Sequence, residues 1–471
     1  MIRWGIIGAG NIANRFAVSL VHEERSVLYA ISGRNEEKLK AFREKHSCEK
    51  IYTDHEALLN DPDVDAVYIA LPHKLHKEWA LKALARHIPV LCEKPAALNE
   101  EEVREIAEAA KEHDTLFMEA MKCRMTPAAM YVDELIRKGE IGKVTSVSAD
   151  FCFHMPAEMV GKTYHSEKVG GGCLLDTGIY AASWLERYTE GDPVVIRTRA
   201  DYGREAETYV ISKLQFGSVC GSLEAGFDRN SAKEAVITGE KGTIVVDHMQ
   251  RPDVIHVYTD SETTIAKPYV GDDFYGEIAH FAELVDTGKK ESPIMPLAAS
   301  IRCARILDII RASFTEFSES DLRVLEAQED VLQYASFTNA DAYKLGREII
   351  SLAEKYGGAV AVRIVKEPEN LIVFQHVMDG KAQRNLDFAE MKRAEALKAR
   401  RSSAWVYLKE RVRGEKITVS GGAFPIRLTD GTHVATAVVS GLHEGYDHDL
   451  IVEALGNVLG VEAPVFTKAL L

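Results

Sequence analysis

The sequence predicts an α/β protein of several domains, on three observations. A short apolar strand, Ile2 to Ile7, leads into a glycine-rich turn and a helical segment at the start of the chain. Strands and helices then alternate as far as residue 121, which is typical of a parallel sheet. Strand-rich and helical segments follow, and 471 residues are too many for one hydrophobic core.

The composition excludes several classes of protein. Hydrophobic residues at 46% and charged residues at 27% are typical of a globular protein, not of a disordered one. The formal net charge of -15 opposes binding to nucleic acid, because phosphates would be repelled. We interpret the basic run from Lys392 to Arg401 as the solvent-facing side of a helix.

The cysteines and the apolar segments indicate the compartment. Seven cysteines are scattered without a C-x-x-C pair, which favours free thiols in a reducing compartment over disulfides or structural zinc. The chain contains no run of eighteen apolar residues, and its first residues lack the apolar centre of a signal peptide. We therefore expect a cytoplasmic protein with no membrane partner and no metal site.

The glycine-rich turn carries the pattern G-x-G-x-x-A, formed by Gly8, Gly10 and Ala13. Gly8 allows a tight turn, Gly10 lets the backbone approach a pyrophosphate, and Ala13 lets the helix pack closely on the strand. The helix N-terminus then faces the phosphates. Such turns also occur for packing alone, but the flanking strand and helix predict a Rossmann dinucleotide-binding domain, with Asn11 and Ile12 contacting the cofactor.

The end of the second strand predicts which dinucleotide binds. An NAD-specific fold carries an acidic residue there, whereas this chain has Ser32, Gly33 and Arg34. A small residue followed by an arginine suits a 2′-phosphate. We therefore predict NADP, with Ser32 and Arg34 in contact with it. The alternative is a surface arginine that begins a helix, with NAD as cofactor.

Two further strands end at the same, ligand-facing edge of the sheet. The residues expected to contact the cofactor there are Leu71, Pro72, His76, Glu93 and Lys94. We interpret His73 and His76 as hydrogen-bonded loop histidines near the nicotinamide, not as metal ligands. Lys94, between a strand end and a proline, is interpreted as a desolvated lysine whose charge acts locally, with a surface lysine as the alternative.

These motifs, with Met118-Glu119-Ala120, Arg124 and Pro127, resemble the Gfo/Idh/MocA oxidoreductases over residues 1–315. Within that family the chain is most similar to the branch of dimeric dihydrodiol dehydrogenases and NADP-dependent D-xylose dehydrogenases. The resemblance implies a Rossmann domain over 1–121 and a substrate domain over 122–314. It also implies that the open antiparallel sheet of the second domain often forms a dimer surface, and that Arg124 contacts the cofactor.

The segment GGGCLLDTGIYAASWLERY (170–188) is predicted to carry the chemistry. Asp176 and Tyr180 are four residues apart and project from one helical face. Many members of the family have histidine where this chain has Tyr180, and the resemblance implies that this tyrosine transfers the proton. A tyrosine pKa near 10 requires a neighbouring cation, which Lys94 supplies, while Asp176 orients the substrate hydroxyl or Lys94. The alternative is that Asp176 caps the helix and Tyr180 packs in the core.

The sequence thus predicts hydride transfer to NADP from a hydroxyl of a sugar, polyol or trans-dihydrodiol. The similar branch usually has tryptophan after M-E-A, where this chain has Lys122, and this favours a polar substrate. His154, Tyr164 and His165 are candidates for lining the pocket or are ordinary loop residues. The alternative function is a non-catalytic NADP(H)-binding sensor whose C-terminal domain serves in assembly or haem binding.

A second pattern begins after a predicted linker at 315–320. Residues 321–471 form a further α/β domain that resembles the HbpS/GlcG-like family (the UPF0303 group, sometimes called haem-degrading) in SFTNADAYKLG (336–346) and GGAFPIR (421–427). The resemblance implies a profilin-like fold, often in higher oligomers, so we expect a homo-oligomer through this domain or the second sheet. This sequence differs from the residues usual in that family at Ala394, Glu395 and Ala399. The candidate haem ligands are His376, His433, His443 and His448, none of which lies in a haem motif, and a structural module is the alternative.

Overall fold

The computed structural model describes residues 1–156, 165, 167, 169–202, 206–315, 317–355, 358–442 and 446–466. They form two compact units, Met1–Arg311 and Ala312–Leu471. The boundary falls within helix α10 (Leu297–Thr315), just before the predicted linker at 315–320. Helix α11 (Glu319–Val331) already begins inside that segment.

The first sheet of the N-terminal unit is parallel, with the strand order β3-β2-β1-β4-β5-β6. Its strands are β1 (Ile2–Ile7), β2 (Ser26–Ser32), β3 (Lys50–Tyr52), β4 (Ala66–Ile69), β5 (Val90–Glu93) and β6 (Phe117–Ala120). Its helices are α1 (Asn11–Leu20), α2 (Glu36–His46), α3 (His55–Leu59), α4 (His76–Leu84) and α5 (Glu100–Glu112). The predicted doubly wound arrangement is confirmed, and β3 and α3 are additions that the sequence analysis did not assign.

Strand β1 is the centre of this sheet because large side chains cover it on both faces. Trp4 is fully buried, with its ring 5.2 Å from those of Phe16 on α1 and of Phe281. Phe16 also stacks on Tyr68 of β4, with ring centroids 3.9 Å apart. This aromatic cluster fixes α1, and with it the glycine turn that precedes it, on the end of β1.

The second sheet has eight strands in the order β14-β13-β12-β11-β7-β10-β9-β8. All neighbours are antiparallel except β7 and β10, which confirms the predicted open and mainly antiparallel sheet. Its strands are β7 (Val144–Cys152), β8 (Val194–Tyr202), β9 (Glu207–Phe216), β10 (Val219–Gly226), β11 (Ala235–Gly239), β12 (Thr243–Val246), β13 (Val254–Tyr258) and β14 (Glu262–Ala266). The accompanying helices are α6 (Pro127–Arg137), α7 (Cys173–Asp176), α8 (Gly178–Tyr188), α9 (Tyr275–Asp286) and α10.

The C-terminal unit has its own core around a five-stranded sheet with the order β15-β18-β19-β16-β17. Its strands are β15 (Gln333–Tyr334), β16 (Ala361–Lys366), β17 (Leu371–Val377), β18 (Ala423–Leu428) and β19 (His433–Ser440). Its helices are α11, α12 (Asn339–Lys355), α13 (Gln383–Ala399), α14 (Ser403–Arg413) and α15 (Tyr446–Leu459). The sheet is antiparallel apart from the short β15–β18 pair, so this unit is the separate α/β domain that the sequence predicts.

The basic run on α13 differs from its prediction. Lys392 and Arg393 are 6% and 5% exposed, so they do not belong to a solvent-facing side of the helix. Lys392 pairs with Asp447, and Arg393 pairs with Glu367 and Glu390. The prediction of a solvated face is wrong for these two residues, because carboxylates distant in sequence neutralise them inside the unit.

Replacing Trp4 tests the central role of β1. The variant Trp4→Ala leaves a cavity between α1 and the sheet and is expected to lower the free energy of unfolding of the N-terminal unit by about 3–5 kcal/mol. Urea denaturation followed by far-UV circular dichroism measures this loss. The control is Val21→Ala, whose side chain is 77% exposed and whose removal should change stability by less than about 0.5 kcal/mol.

Candidate active site

A cleft of about 680 Å³ opens at the carboxyl ends of β1, β4 and β5. The strand order reverses between β1 and β4, and the crevice at such a switch point is where open α/β sheets bind ligands. The lining residues are Gly10, Asn11, Ile12, Arg15, Ala70, Leu71, Pro72, His73, Glu93, Lys94, Lys122, Phe151, Phe153, His165, Asp176, Tyr180, Gln250, Arg251, Asp273 and Phe274. The two halves of the unit therefore meet here around one cavity.

The glycine turn has the geometry of a phosphate cradle. Gly8 adopts φ +108°, and a Cβ there would lie 2.5 Å from the Ala70 carbonyl oxygen, so only glycine fits. Gly10 is the N-cap of α1 and offers no capping side chain, while a Cβ on it would meet no atom within 4 Å. The first N–H groups of α1 thus face open space, and the first turn carries no carboxylate. This fits the pyrophosphate of a dinucleotide.

The segment at the end of β2, Ser32 to Arg34, carries the positive charge of Arg34 and no acidic residue. The Ser32 side chain is buried and hydrogen-bonded to the Ile6 carbonyl and to His55, at 3.3 and 2.8 Å. Arg34 is exposed and makes no salt bridge with any residue that the structure describes. The Ser32–Arg34 segment therefore keeps a free guanidinium at the position where a ribose 2′-substituent lies in this fold.

Lys94 and Asp176 form the central ion pair of the cleft. The Lys94 Nζ donates to Asp176 Oδ1 at 2.6 Å and to the Asp176 carbonyl at 2.8 Å. Their side chains are 12% and 14% exposed, so the pair is shielded from solvent. Burial raises the pKa of Asp176, but the charge and hydrogen bond of Lys94 together with the neighbouring His165 and His73 outweigh it and lower this pKa to about 2.

Two histidines complete the surroundings of Asp176. His73 Nε2 and His165 Nδ1 lie 4.0 and 3.7 Å from its carboxylate oxygens. Burial lowers the pKa of His73 to about 3 and also lowers that of His165, so both rings are neutral near pH 7. His73 also bonds the Gly170 carbonyl at 2.9 Å, as expected for a hydrogen-bonded loop histidine.

Tyr180 lies beside this pair, but its protonation differs from the expectation. The Lys94 Nζ is 5.0 Å from the centre of the Tyr180 ring. Burial, reinforced by the negative charge of Glu93, raises the Tyr180 pKa well above 10. The expected lowering of that pKa is wrong for this state, because burial and the neighbouring negative charges outweigh any contribution from Lys94. The side chain therefore enters the cleft as a protonated phenol.

The structure does not bring every predicted cofactor residue into the cleft. Arg124 is 4% exposed and lies away from it, where its guanidinium donates to Ser183 Oγ at 2.7 Å and pairs with Glu186. His76 is fully buried, with its ring nitrogens 2.8 and 2.7 Å from the Pro95 and Leu71 carbonyls, so it joins two loops behind the cleft wall. In this structure both side chains therefore contact neighbouring segments of the protein and do not line the cleft as predicted.

Of the three candidate pocket residues that follow β7, one lines the cleft in the part of the chain that the structure describes. His165 lines the cleft, whereas His154 is exposed and bonded to the Asp228 carbonyl at 3.1 Å. Tyr164 lies outside the described residues.

The sequence analysis pointed to Lys122 in this wall of the cleft but not to its neighbours there, which are Arg15, Gln250, Asp273 and Phe274. Lys122 is 7% exposed and pairs with Asp273, which also binds Arg15 at 2.5 Å. The Phe274 ring lies between these cations, 4.5 Å from the Arg15 guanidinium and 4.6 Å from Lys122 Nζ. Gln250 is 8% exposed, and its side-chain oxygen has no partner among the described residues. In the sequence, the acidic pair that precedes a helix in VGDDFYGE (270–277) was the one signal that could have indicated Asp273 and Phe274.

The candidate haem ligands lie on separate elements of the C-terminal unit. His448 is fully buried and bonded to Gln328 at 2.9 Å, and His433 bonds the Ala435 carbonyl at 2.8 Å. His376 is exposed on β17, and His443 lies outside the described residues. Across the part of the chain that is described, no three histidine, cysteine or acidic side chains gather as a metal site would require. Nor is any described helix both long enough and apolar enough to cross a membrane.

The fold and the cleft define an NAD(P)-dependent oxidoreductase that acts on hydroxyl groups. Comparison with known families agrees: residues 2–121 match the GFO/IDH/MocA oxidoreductase family with its NAD-binding Rossmann fold, and residues 130–245 match its C-terminal domain. Residues 337–456 match the haem-degrading protein HbpS-like family. The chain belongs to the GFO/IDH/MocA family and carries an HbpS-like domain, so both predicted resemblances are confirmed.

Individual relatives narrow the family further. The trans-1,2-dihydrobenzene-1,2-diol dehydrogenase of Mus musculus is 33% identical over 327 residues, which are 66% of this chain and 96% of the relative. That of Xenopus laevis is 30% identical over 319 residues, 65% of this chain and 96% of the relative.

Solved structures give the same fold. A 3-ketoreductase from Actinomadura kijaniata, in complex with TDP-benzene and NADP, is 27% identical with a TM-score of 0.58, covering 66% of this chain and 96% of its own. A levoglucosan dehydrogenase, in complex with NADH and levoglucosan, is 23% identical with a TM-score of 0.60, and the match covers 66% of this chain and 96% of its own. At this identity the similarity shows the fold alone.

The open space over Gly10 can be filled to test the cradle. In Gly10→Val the new side chain meets no protein atom within 4 Å of Cβ, and the backbone φ of -93° suits valine. The thermal midpoint should therefore stay unchanged, while the dissociation constant for NADP⁺ rises about ten- to a hundredfold through lost phosphate contacts. Calorimetry measures both quantities. The contrasting variant Gly8→Ala should lose stability as well, and a Gly10→Val protein with unaltered affinity would contradict the cradle.

Proposed function

We propose that the protein is an NADP-dependent dehydrogenase that oxidises a hydroxyl group of a sugar or polyol, with Tyr180, Lys94 and Asp176 as its catalytic residues. The observation that carries the proposal is the buried Lys94–Asp176 pair beside the Tyr180 phenol at the switch point of the parallel sheet. A sensor without catalysis would require no such shielded ion pair next to a phenol in the same cleft.

The preference for NADP is supported by the charges at the end of β2. The two acidic residues nearest in sequence, Glu36 and Glu37, both pair with Lys40, which leaves the Arg34 guanidinium free for a 2′-phosphate. Gly10, Asn11 and Ile12 line the cleft at the N-terminus of α1, where the pyrophosphate belongs. Leu71, Pro72 and Glu93 line its inner wall, next to Lys94.

The chain's own residues account for the proton. A bound nicotinamide supplies the hydride acceptor. The substrate hydroxyl approaches Tyr180, whose phenolic oxygen takes the hydroxyl proton during oxidation and returns it to the carbonyl oxygen during reduction. Asp176 holds Lys94 over the tyrosine ring, so that its positive charge favours the phenolate when it forms. Because burial raises the pKa of Tyr180, the phenol can donate its proton in the reductive direction at neutral pH.

A cluster of charged side chains in the cleft supports a polar substrate. Lys122, Arg15 and Asp273 bring ionic groups into the cleft around a single aromatic ring, Phe274. Such groups offer hydrogen bonds to hydroxyls, and an unsubstituted aromatic diol would leave them unpaired. We therefore place a sugar such as D-xylose, or a polyol, ahead of a trans-dihydrodiol as the substrate.

Removal of the phenolic oxygen tests the role of Tyr180. In Tyr180→Phe the proton acceptor is lost while the ring is kept, so kcat should fall by about 10²–10⁴ with little change in KM. Reduction of NADP⁺ at 340 nm measures this across sugars, polyols and dihydrodiols. Phe151→Leu, at the neighbouring ring, serves as the control for packing. An unchanged kcat in Tyr180→Phe would overturn the assignment.

The pH dependence follows from the direction of the Tyr180 pKa. Oxidation requires the phenolate, whose fraction rises with pH as long as the pH lies below the raised pKa. We therefore expect kcat/KM for oxidation to increase from about pH 7 to pH 10 without a plateau, while reduction stays constant over the same range. Initial rates in both directions provide the measurement. A plateau in the oxidation rate below about pH 8 would show that another group takes the proton.

Replacement of Arg34 tests the cofactor preference. Arg34→Ala removes the free guanidinium, so KM for NADP⁺ should rise about tenfold or more while KM for NAD⁺ stays the same. The matched control is Lys38→Ala, which removes an exposed positive charge four residues further along the chain, on α2. Equal losses for both cofactors in Arg34→Ala would disprove the contact with a 2′-phosphate.

A further inference from the structure

The C-terminal unit contains a cavity of its own, about 470 Å³ in volume. It lies among α13, α14, the segment before β18 and the end of β19. The lining residues are Asn385, Phe388, Met391, Lys392, Tyr407, Ile417, Thr418, Val419, Ser420, Ser440, Gly441, Leu442 and Asp447. Its volume is in the range of about 300–1,000 Å³ typical of sites for small molecules.

A buried ion pair forms the polar part of the cavity. Lys392 and Asp447 are 6% and 2% exposed, and Lys392 Nζ lies 2.7 Å from Asp447 Oδ2. The ammonium also donates to the Val439 carbonyl at 3.2 Å. An ammonium has three N–H groups, and the described residues provide no third acceptor. Since Lys392 lines the cavity, the third N–H is available to a ligand oxygen there.

The backbone at Gly422 makes room for this pair. Gly422 adopts φ +127°, and a Cβ on it would lie 2.8 Å from Lys392 Nζ and 2.8 Å from the Asp447 Cβ. Asp447 is fixed further by the Leu442 N–H at 3.0 Å. The pair is therefore held rigidly by groups from four segments of the chain.

The mouth of the cavity is apolar and exposed. Phe388 and Met391 are 52% and 58% exposed, and they lie three residues apart on one face of α13. Ile417, which is 40% exposed, completes this rim. A few polar groups inside a largely apolar and open cavity are typical of a binding site for a small molecule.

The charges decide which kind of ligand fits. Lys392 and Asp447 neutralise each other, and no other charged side chain lines the cavity within the described chain. An anion at Lys392 would therefore lie close to Asp447 as well and would gain little attraction. An uncharged oxygen acceptor takes the third N–H without this repulsion.

We propose that this cavity binds a small, mainly apolar and uncharged molecule through a carbonyl or amide oxygen that accepts a hydrogen bond from Lys392. The apolar part of the ligand contacts Phe388, Met391 and Ile417. Among the residues that the structure describes, no histidine lines the cavity.

Matched pairs of fragments test the proposal on the full-length protein. Benzamide and benzoate, hexanamide and hexanoate, and cyclohexanone and cyclohexane carboxylate are titrated separately by calorimetry, with haemin as a further ligand. Each uncharged member should bind at least tenfold more tightly than its carboxylate partner. Binding should leave NADP⁺ affinity unchanged, since that site belongs to another unit.

Variants locate the binding. The double variant Phe388→Ala with Met391→Ala changes two exposed side chains, so the protein should fold, and amide affinity should fall at least tenfold. Lys392→Met removes the donor, so amide affinity should fall at least tenfold, while the carboxylates should bind no better because Asp447 is left without its partner. Ser320→Ala, on the exposed start of α11, serves as the control and should bind as the parent protein does.

Three results would overturn the proposal. One is the absence of binding by every fragment, and another is equal or tighter binding of the carboxylates. The third is amide affinity that persists in the rim variant. If only haemin binds, or if the rim variant changes the oligomeric state in sedimentation without any fragment binding, the face serves haem or a second copy of the chain instead.

Discussion

The ion pair between Lys94 and Asp176 is the interaction on which the N-terminal unit's site depends. It connects the end of β5, in the parallel sheet, to α7, which packs on the second sheet. Two buried charges are stable only as partners, and removing one typically costs about 3–5 kcal/mol. The pair therefore sets the distance between the cofactor half and the substrate half of the cleft, and it determines both the ionised state of Asp176 and the position of the charge over Tyr180.

The same cleft carries charged side chains around a single aromatic ring. Lys122 could enter a buried wall only because Asp273 neutralises it and Phe274 packs against its ammonium. The wall presents donors and acceptors that must be satisfied when solvent is displaced. A hydroxyl-rich substrate meets this requirement, and this is why the proposed substrates are sugars and polyols although the similar curated relatives are dihydrodiol dehydrogenases.

The C-terminal unit uses the same physical device for a different purpose. Lys392 and Asp447 are again a buried pair next to a cavity, but the surrounding side chains are uncharged and the rim is apolar. Where the pair in the cleft lies beside the Tyr180 phenol, this pair lies beside an apolar rim, and we propose that its remaining N–H serves an uncharged ligand. The HbpS-like domain is thus a second candidate binding module with chemistry independent of the dehydrogenase.

The sequence by itself determined the features that depend on neighbours along the chain. The glycine turn at Gly8 and Gly10, the alternating strands, the two resemblances and the pair of Asp176 and Tyr180 follow from local spacing, and they gave most of the fold and the centre of the site. Only the tertiary structure decided which charges meet: Lys122 and Asp273 are 151 residues apart. It also decided that Arg124 lies away from the cleft and that burial raises the pKa of Tyr180, because burial and contacts between distant segments are not encoded in local pattern.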